Sequence, residues 1–196
     1  VEFPSQINEN WALAPAVLRN YARHIDTGEP LPSELIDAIT TSRQFGQGFA
    51  TSEYLAAAII DMAWHSLSSE EAAGVSDVHA FEEAALQDAG LVVEHLKPRY
   101  QSTYFNHIFG GGYSAGYYSY LWAEALDADG FDWFTETGAA GPGASGEAAR
   151  AAGQRFRDLV LSRGGASDYA AAFESLRGRA KDVAPLLRRR GLGGAL

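Results

Sequence analysis

The chain has 196 residues, of which 46% are hydrophobic and 20% charged, with a formal net charge of −10 and no cysteine. That balance fits a globular domain with a core of useful size, and the acidic excess disfavours nucleic acid and anionic membrane surfaces as partners. Without cysteine there is no disulfide framework and no thiolate metal site, and no apolar run reaches the length of about 18 residues that a membrane helix needs.

In chain order, helical pattern comes first, with Trp11, Val17, Leu18, Tyr21 and Ile25 as apolar positions over residues 2–28. Pro15 is placed to kink or divide this run. Residues 27–32 predict a turn, and Ser33 is placed to cap a helix carrying Leu35, Ile36 and Ile39. Gly46 and Gly48 predict a bend, and Thr51 or Ser52 the start of a helix to about Leu67. Tyr54, Leu55, Ala58, Ile59, Ile60, Met62, Ala63 and Trp64 make that helix apolar nearly all round, which predicts burial. Ser68-Ser69-Glu70-Glu71 has capping-box spacing. Residues 77–89 predict a helix stopped by Gly90, and residues 96–106, with Pro98, a loop. A helix carrying three tyrosines is predicted to run to about Asp127, with a short helix over residues 132–137. Residues 138–146 read as loop, residues 147–162 as helix, and residues 163–168 as a turn capping a helix to Arg177 with Gly178 beyond it. A last helix over residues 182–190 ends in three arginines, which suit the negative end of the helix dipole. No alternating strand pattern of useful length and no internal repeat is present, so the expectation is an all-α fold.

The residues from His107 to Trp122 carry the most chemistry. Gly110, Gly111 and Gly112 form a loop that lets backbone approach a ligand closely. Tyr113, Tyr117 and Tyr120 stand at i, i+4 and i+7, which on a helix puts three phenols on one face. If the loop folds back, His107 joins them. Phenols can donate hydrogen bonds to an oxygen that gains negative charge in a transition state. An aromatic stripe at helical spacing is more often core. Against that, each buried tyrosine hydroxyl needs a partner, and a core helix does not require a glycine triplet. Tyr118 faces away and reads as packing. His65, in an apolar helix, reads as a satisfied core histidine. Arg163 could pair with a carboxylate of a substrate or of the protein itself. The histidines (His24, His65, His79, His95, His107) are far apart, and no His-Glu-x-x-His motif occurs, so the chain alone offers no complete three-ligand zinc site.

Six segments carry a resemblance: Val1-Glu2-Phe3-Pro4-Ser5-Gln6-Ile7-Asn8, Phe49 to Leu55, Asp61-Met62-Ala63-Trp64-His65, Tyr104 to Trp122, Leu161-Ser162-Arg163-Gly164-Gly165, and Leu186 to Leu192. Together they resemble the thimet-oligopeptidase-like zinc metallopeptidases, and within them the bacterial peptidyl-dipeptidases. Residues 104–122 are the longest and most specific match. The resemblance implies the all-α, C-terminal part of a two-lobed zincin-type peptidase with a deep substrate channel. Because the first motif begins at Val1 with no lead-in, all of residues 1–196 are read as the C-terminal part of the catalytic domain of a longer protein. The implied cofactor is one zinc ion. Glu2 matches the third zinc ligand, while two histidine ligands and the general-base glutamate are missing. Glu9, seven residues on, is either a carboxylate that orients a zinc-bound histidine or a solvated glutamate. Tyr113 and Tyr120 match residues that stabilise the tetrahedral intermediate. His107, Tyr117 and the three glycines match residues that hold substrate.

The implied activity is hydrolysis of short peptides with release of C-terminal dipeptides, in a cytoplasmic setting. Phe105 to Tyr113 and Asp129-Gly130-Phe131-Asp132-Trp133-Phe134 are worded more like peptidyl-dipeptidases than like endo-acting oligopeptidases. Short peptides and the missing N-terminal part of the same protein are the implied partners. The chain alone is expected to be inactive. A reading from another class, a non-catalytic helical module that binds peptides through its tyrosines, has only the missing His-Glu-x-x-His motif in its favour.

Overall fold

A sequence without strand alternation has to satisfy its backbone donors and acceptors in helices and turns. The structure, a computed structural model that describes residues 2–193, does this with α1 (Phe3–Ala12), α2 (Pro15–Tyr21), α3 (Ser33–Ser42), α4 (Gln47–His65), α5 (Ser69–Gly74), α6 (Val78–Asp88), α7 (Asn106–Phe109), α8 (Ser119–Glu136), α9 (Gly146–Leu159), α10 (Tyr169–Arg177) and α11 (Ala184–Arg189). Short 3-10 turns lie at Ser102–Tyr104 and Leu161–Arg163. Among the described residues no strand forms, and a single antiparallel bridge joins Arg23 to Pro30. No helix of the described residues is long and apolar enough to cross a membrane. The chain is all-α.

Most helix boundaries follow local chemistry. Pro15 opens α2 at a position where its missing N–H removes no helical bond, so the first helical run is divided there. The capping box at Ser68 forms: its Oγ accepts the Glu71 N–H at 3.2 Å, and the Glu71 carboxylate accepts the Ser68 N–H at 2.7 Å. Hydrogen bonding to the carboxylate by the Ser68 backbone N–H foremost, and then by the Ser68 side chain, holds the Glu71 carboxyl below its usual range. Asp77, Ser145 and Asp168 cap α6, α9 and α10 with their side chains, and Gly178 ends α10 in the left-handed region. Two of the starts before α8 differ from expectation. Ser33 is already inside α3, and its side chain caps nothing because Pro32 takes the cap position. α4 begins at Gln47, ahead of Thr51, because Gly46 turns the chain at φ 68°.

One compact unit comprises residues 1–45 and 121–196. Its core gathers Phe3 and Ile7 of α1, Ala123 and Phe134 of α8, Ala152 and Phe156 of α9, and Phe173 and Leu176 of α10. The Phe3 ring meets Phe156 and Phe173 edge-on, with centroids 5.7 and 5.6 Å away. α8 runs unbroken to Glu136; the expected stop near Asp127 and the separate helix at 132–137 are one element. Gly130 in its middle marks a close approach: a Cβ there would lie 3.1 Å from the Phe3 ring.

α8 carries a ladder of five acids, two of them buried. Asp129, fully buried, accepts bonds from Arg177 Nε at 2.8 Å, from Arg179 at 2.6 and 2.9 Å, and from the Asp182 N–H at 2.9 Å. Arg177 also forks onto Glu136 at 2.6 and 2.7 Å. Arg188 pairs with Asp132, Arg189 with Asp127 and Arg190 with Glu124. The three consecutive arginines thus answer particular carboxylates as well as a helix end.

The other unit is residues 46–120. Here α4 packs on α6, with Ala56, Ile60 and Leu86 in one cluster. Ala57 and Ala58 pack with Phe105, Ile108 and Tyr117 in another. α4 is not buried all round, since Met62 is 42% exposed. Buried Glu82 of α6 accepts the Ser102 N–H, and Trp64 donates its indole N–H to Ser102 Oγ at 2.7 Å, so both helices hold the turn that leads into residues 105–120.

Candidate functional site

The site is built from α4 outward. Asp61 is fully buried, and a carboxylate there needs hydrogen bonds to offset its desolvation. The Ala115 N–H donates to its Oδ1 and the Tyr117 N–H to its Oδ2, both at 2.8 Å. One helical turn on, His65 Nδ1 lies 2.8 Å from Asp61 Oδ1 and 2.9 Å from the Asp61 carbonyl oxygen. Both are acceptors, so Nδ1 carries the hydrogen.

These bonds take two backbone donors away from helical pairing. Residues 114–118 are therefore turns, α8 starts only at Ser119, and Ala115 sits at φ 53°. The expected helix face bearing Tyr113, Tyr117 and Tyr120 does not exist. A chain reversal brings the rings together instead. His107 has its ring centroid 6.3 Å from Tyr113, 5.7 Å from Tyr117 and 6.3 Å from Tyr120. Tyr113 stacks on Tyr120 at 5.1 Å, and Tyr117 meets Tyr120 at 5.3 Å.

The glycine triplet is required by this reversal. A Cβ on Gly111 would lie 2.9 Å from the His107 carbonyl oxygen, and Gly112 has φ 82°. The Tyr113 N–H then donates to that same carbonyl at 3.1 Å, and Ser114 Oγ to the Ile108 carbonyl at 2.6 Å.

Burial separates the tyrosines. Tyr117 is 3% exposed and packs on Phe105 at 4.8 Å and Tyr54 at 5.5 Å. Burial pushes its hydroxyl up to about 12, with the Arg99 charge pulling the other way. It is a neutral phenol seated in core. His107, Tyr113 and Tyr120 are half-buried. Tyr118, expected to pack, is 51% exposed. Arg163 donates its Nε–H to the Asp158 carbonyl at 2.9 Å. His65 is the satisfied histidine that its apolar helix suggested. Sequence reasoning did not single out Asp61 as a site residue, although an acid within an apolar run, four residues before a histidine, is a readable signal.

Glu2 lies in the other unit. It is half-buried at the N-cap of α1, and its carboxylate accepts the Ser5 hydroxyl at 2.9 Å. Glu9 is exposed. Among the described residues no group of three or more His, Asp or Glu could hold a metal ion. Glu2 offers one carboxylate donor, so the described residues do not compose a zinc site by themselves.

The profile of Peptidase family M3 matches residues 1–192. The chain is 45% identical over 192 residues to dipeptidyl carboxypeptidase of Salmonella typhimurium, and equally to that of Escherichia coli. Each alignment covers 98% of this chain and 27% of the relative. Oligopeptidase A of Escherichia coli is 34% identical over 195 residues, covering 99% of this chain and 27% of the relative. The chain thus spans about a quarter of the length of these curated relatives. With a match over nearly all of its residues, it belongs to Peptidase family M3.

Proposed function

We propose that this chain is the tyrosine-bearing part of a zinc-dependent metallopeptidase that cleaves short peptides in the cytoplasm and releases C-terminal dipeptides. The observation that carries the reading is the gathering of His107, Tyr113 and Tyr120, all half-buried, around one glycine-lined chain reversal. Neutral phenols are hydrogen-bond donors. On this reading Tyr113 and Tyr120 donate to the scissile carbonyl oxygen as it gains charge, while His107 and the backbone of residues 110–112 hold extended peptide. Tyr117 is the packed base under them. Zinc belongs to this reading through the family. Glu2 would be one of its ligands, with Glu9 near it in sequence, and the others come from outside these 196 residues.

Dipeptide release is favoured by 45% identity to dipeptidyl carboxypeptidases against 34% to oligopeptidase A. Analysis of products from a long peptide separates the two: dipeptides from the C-terminus, or internal cuts. The site itself is tested by Tyr120→Phe in the whole enzyme. That change keeps the ring and removes one donor, so kcat should fall about 10²–10³-fold while KM changes little. The isolated 196-residue chain in the same assay should show no hydrolysis. Near-normal kcat with a lowered melting temperature would make Tyr120 a core residue and remove the site.

A further inference from the structure

We propose that Asp61 is the positioning residue of this site: its buried carboxylate, oriented by His65, sets the turn that aims Tyr113 and Tyr120. The proposal rests on the reading that these two phenols touch substrate. Each Asp61 oxygen accepts one backbone N–H at 2.8 Å, from Ala115 and from Tyr117, so the segment that follows the glycine reversal is tied to α4 at points two residues after Tyr113 and three before Tyr120. Between the two ties Ala115 is held at φ 53°, a conformation that a residue with a Cβ rarely adopts unforced. Untied, these two N–H groups are free to join α8 and carry helix back toward Tyr113, which is the register the tyrosine spacing itself suggests. Asp61 therefore selects the turn, with Tyr117 seated in core and Tyr113 stacked on Tyr120. His65 Nδ1–H adds a third bond, to Oδ1 at 2.8 Å, and fixes the carboxylate plane.

An amide cannot replace this carboxylate. Asn at position 61 offers one acceptor oxygen, and its NH₂ would face a backbone N–H, donor against donor. In the whole enzyme, Asp61→Asn should lower kcat at least about tenfold with KM changed less than about twofold. Amide exchange at Ala115 and Tyr117 should quicken while that of α6 does not. Tyr120→Phe should cost much less in the Asp61→Asn background than in wild type, since one unit is broken twice. His65→Phe keeps the ring and loses the donor, so it should reduce kcat severalfold. His65→Asn restores an N–H near the Nδ1 position and should recover most of the loss. This pair carries the test by the same criterion if Asp61→Asn fails to fold.

A kcat within about twofold of wild type in Asp61→Asn and His65→Phe, however far the melting temperature drops, overturns the proposal. If those variants are silent while Tyr120→Phe loses kcat, only the positioning role falls. If Tyr113→Phe and Tyr120→Phe are also silent, the site reading falls and takes the positioning role with it.

Discussion

Tyr117 is 3% exposed, between Phe105, Tyr54 and Tyr120, and its hydroxyl resists ionisation. The ordinary value is 10.0, and burial raises it to about 12 in the fold. The sign of the effect on stability follows. Between pH 10 and 12 the unfolded chain has released this proton while the folded chain still holds it. Stability that is fully present below pH 10 is therefore lost as pH rises through about 12. Urea unfolding across that window should show the fall, and Tyr117→Phe should flatten it. An unchanged alkaline slope in Tyr117→Phe would mean that this phenol is not the buried one.

Within α8, Gly130 tests how tightly the helix meets α1. Gly130→Ala gains about 1 kcal/mol of helix propensity. Its new Cβ would lie 3.1 Å from Phe3, which Phe156 and Phe173 hold edge-on and keep from yielding. Overpacking of this kind typically costs about 1–3 kcal/mol, so a net loss on the order of 1 kcal/mol is expected in a thermal melt. A stabilised variant would show that Phe3 can shift. The same helix shows what was legible in the sequence. Caps at Ser68, Asp77 and Asp168 and the stop at Gly178 are local chemistry and could be read directly. The start of α8 could not, because the acceptor that claims the Ala115 and Tyr117 N–H groups lies 54 and 56 residues away. For the same reason the site was legible as a set of residue types but not as a geometry. The tyrosines and His107 do gather, yet by a turn where periodicity suggested a helix. The expectation that Glu2 binds metal rests on the family resemblance alone, since one carboxylate at a helix start has no local mark of zinc.

For the molecule as a whole, the five acids of α8 are balanced by five arginines, so the net charge of −10 resides elsewhere on the chain. Burial works to raise the Asp129 carboxyl. Hydrogen bonds from Arg179 and Arg177 and from the Asp182 N–H outweigh it and leave the group lowered. A lowered folded value gives stability that is present above the usual carboxylate range and lost as pH falls through it. Asp127 shifts the opposite way, raised by burial in spite of Arg189, so it adds nothing to acid sensitivity. Asp129→Asn should cost on the order of 3 kcal/mol, because it removes the buried charge that Arg177 and Arg179 share and leaves Arg177 with Glu136 alone. It should also blunt the acid transition followed by circular dichroism. Retention of the wild-type acid midpoint would rule out Asp129 as the controlling group.

The arginine ladder also imposes an order in time. Arg177 and Arg179 lie 48 and 50 residues after Asp129, and Arg190 lies 66 residues after Glu124. At a synthesis rate of about 5–20 residues per second, α8 leaves the ribosome several seconds before the cations that neutralise it. Throughout that interval its buried-to-be carboxylates can only stay in water. The nascent helix is thus kept from collapsing early, and this unit can close only when its last segment has been translated.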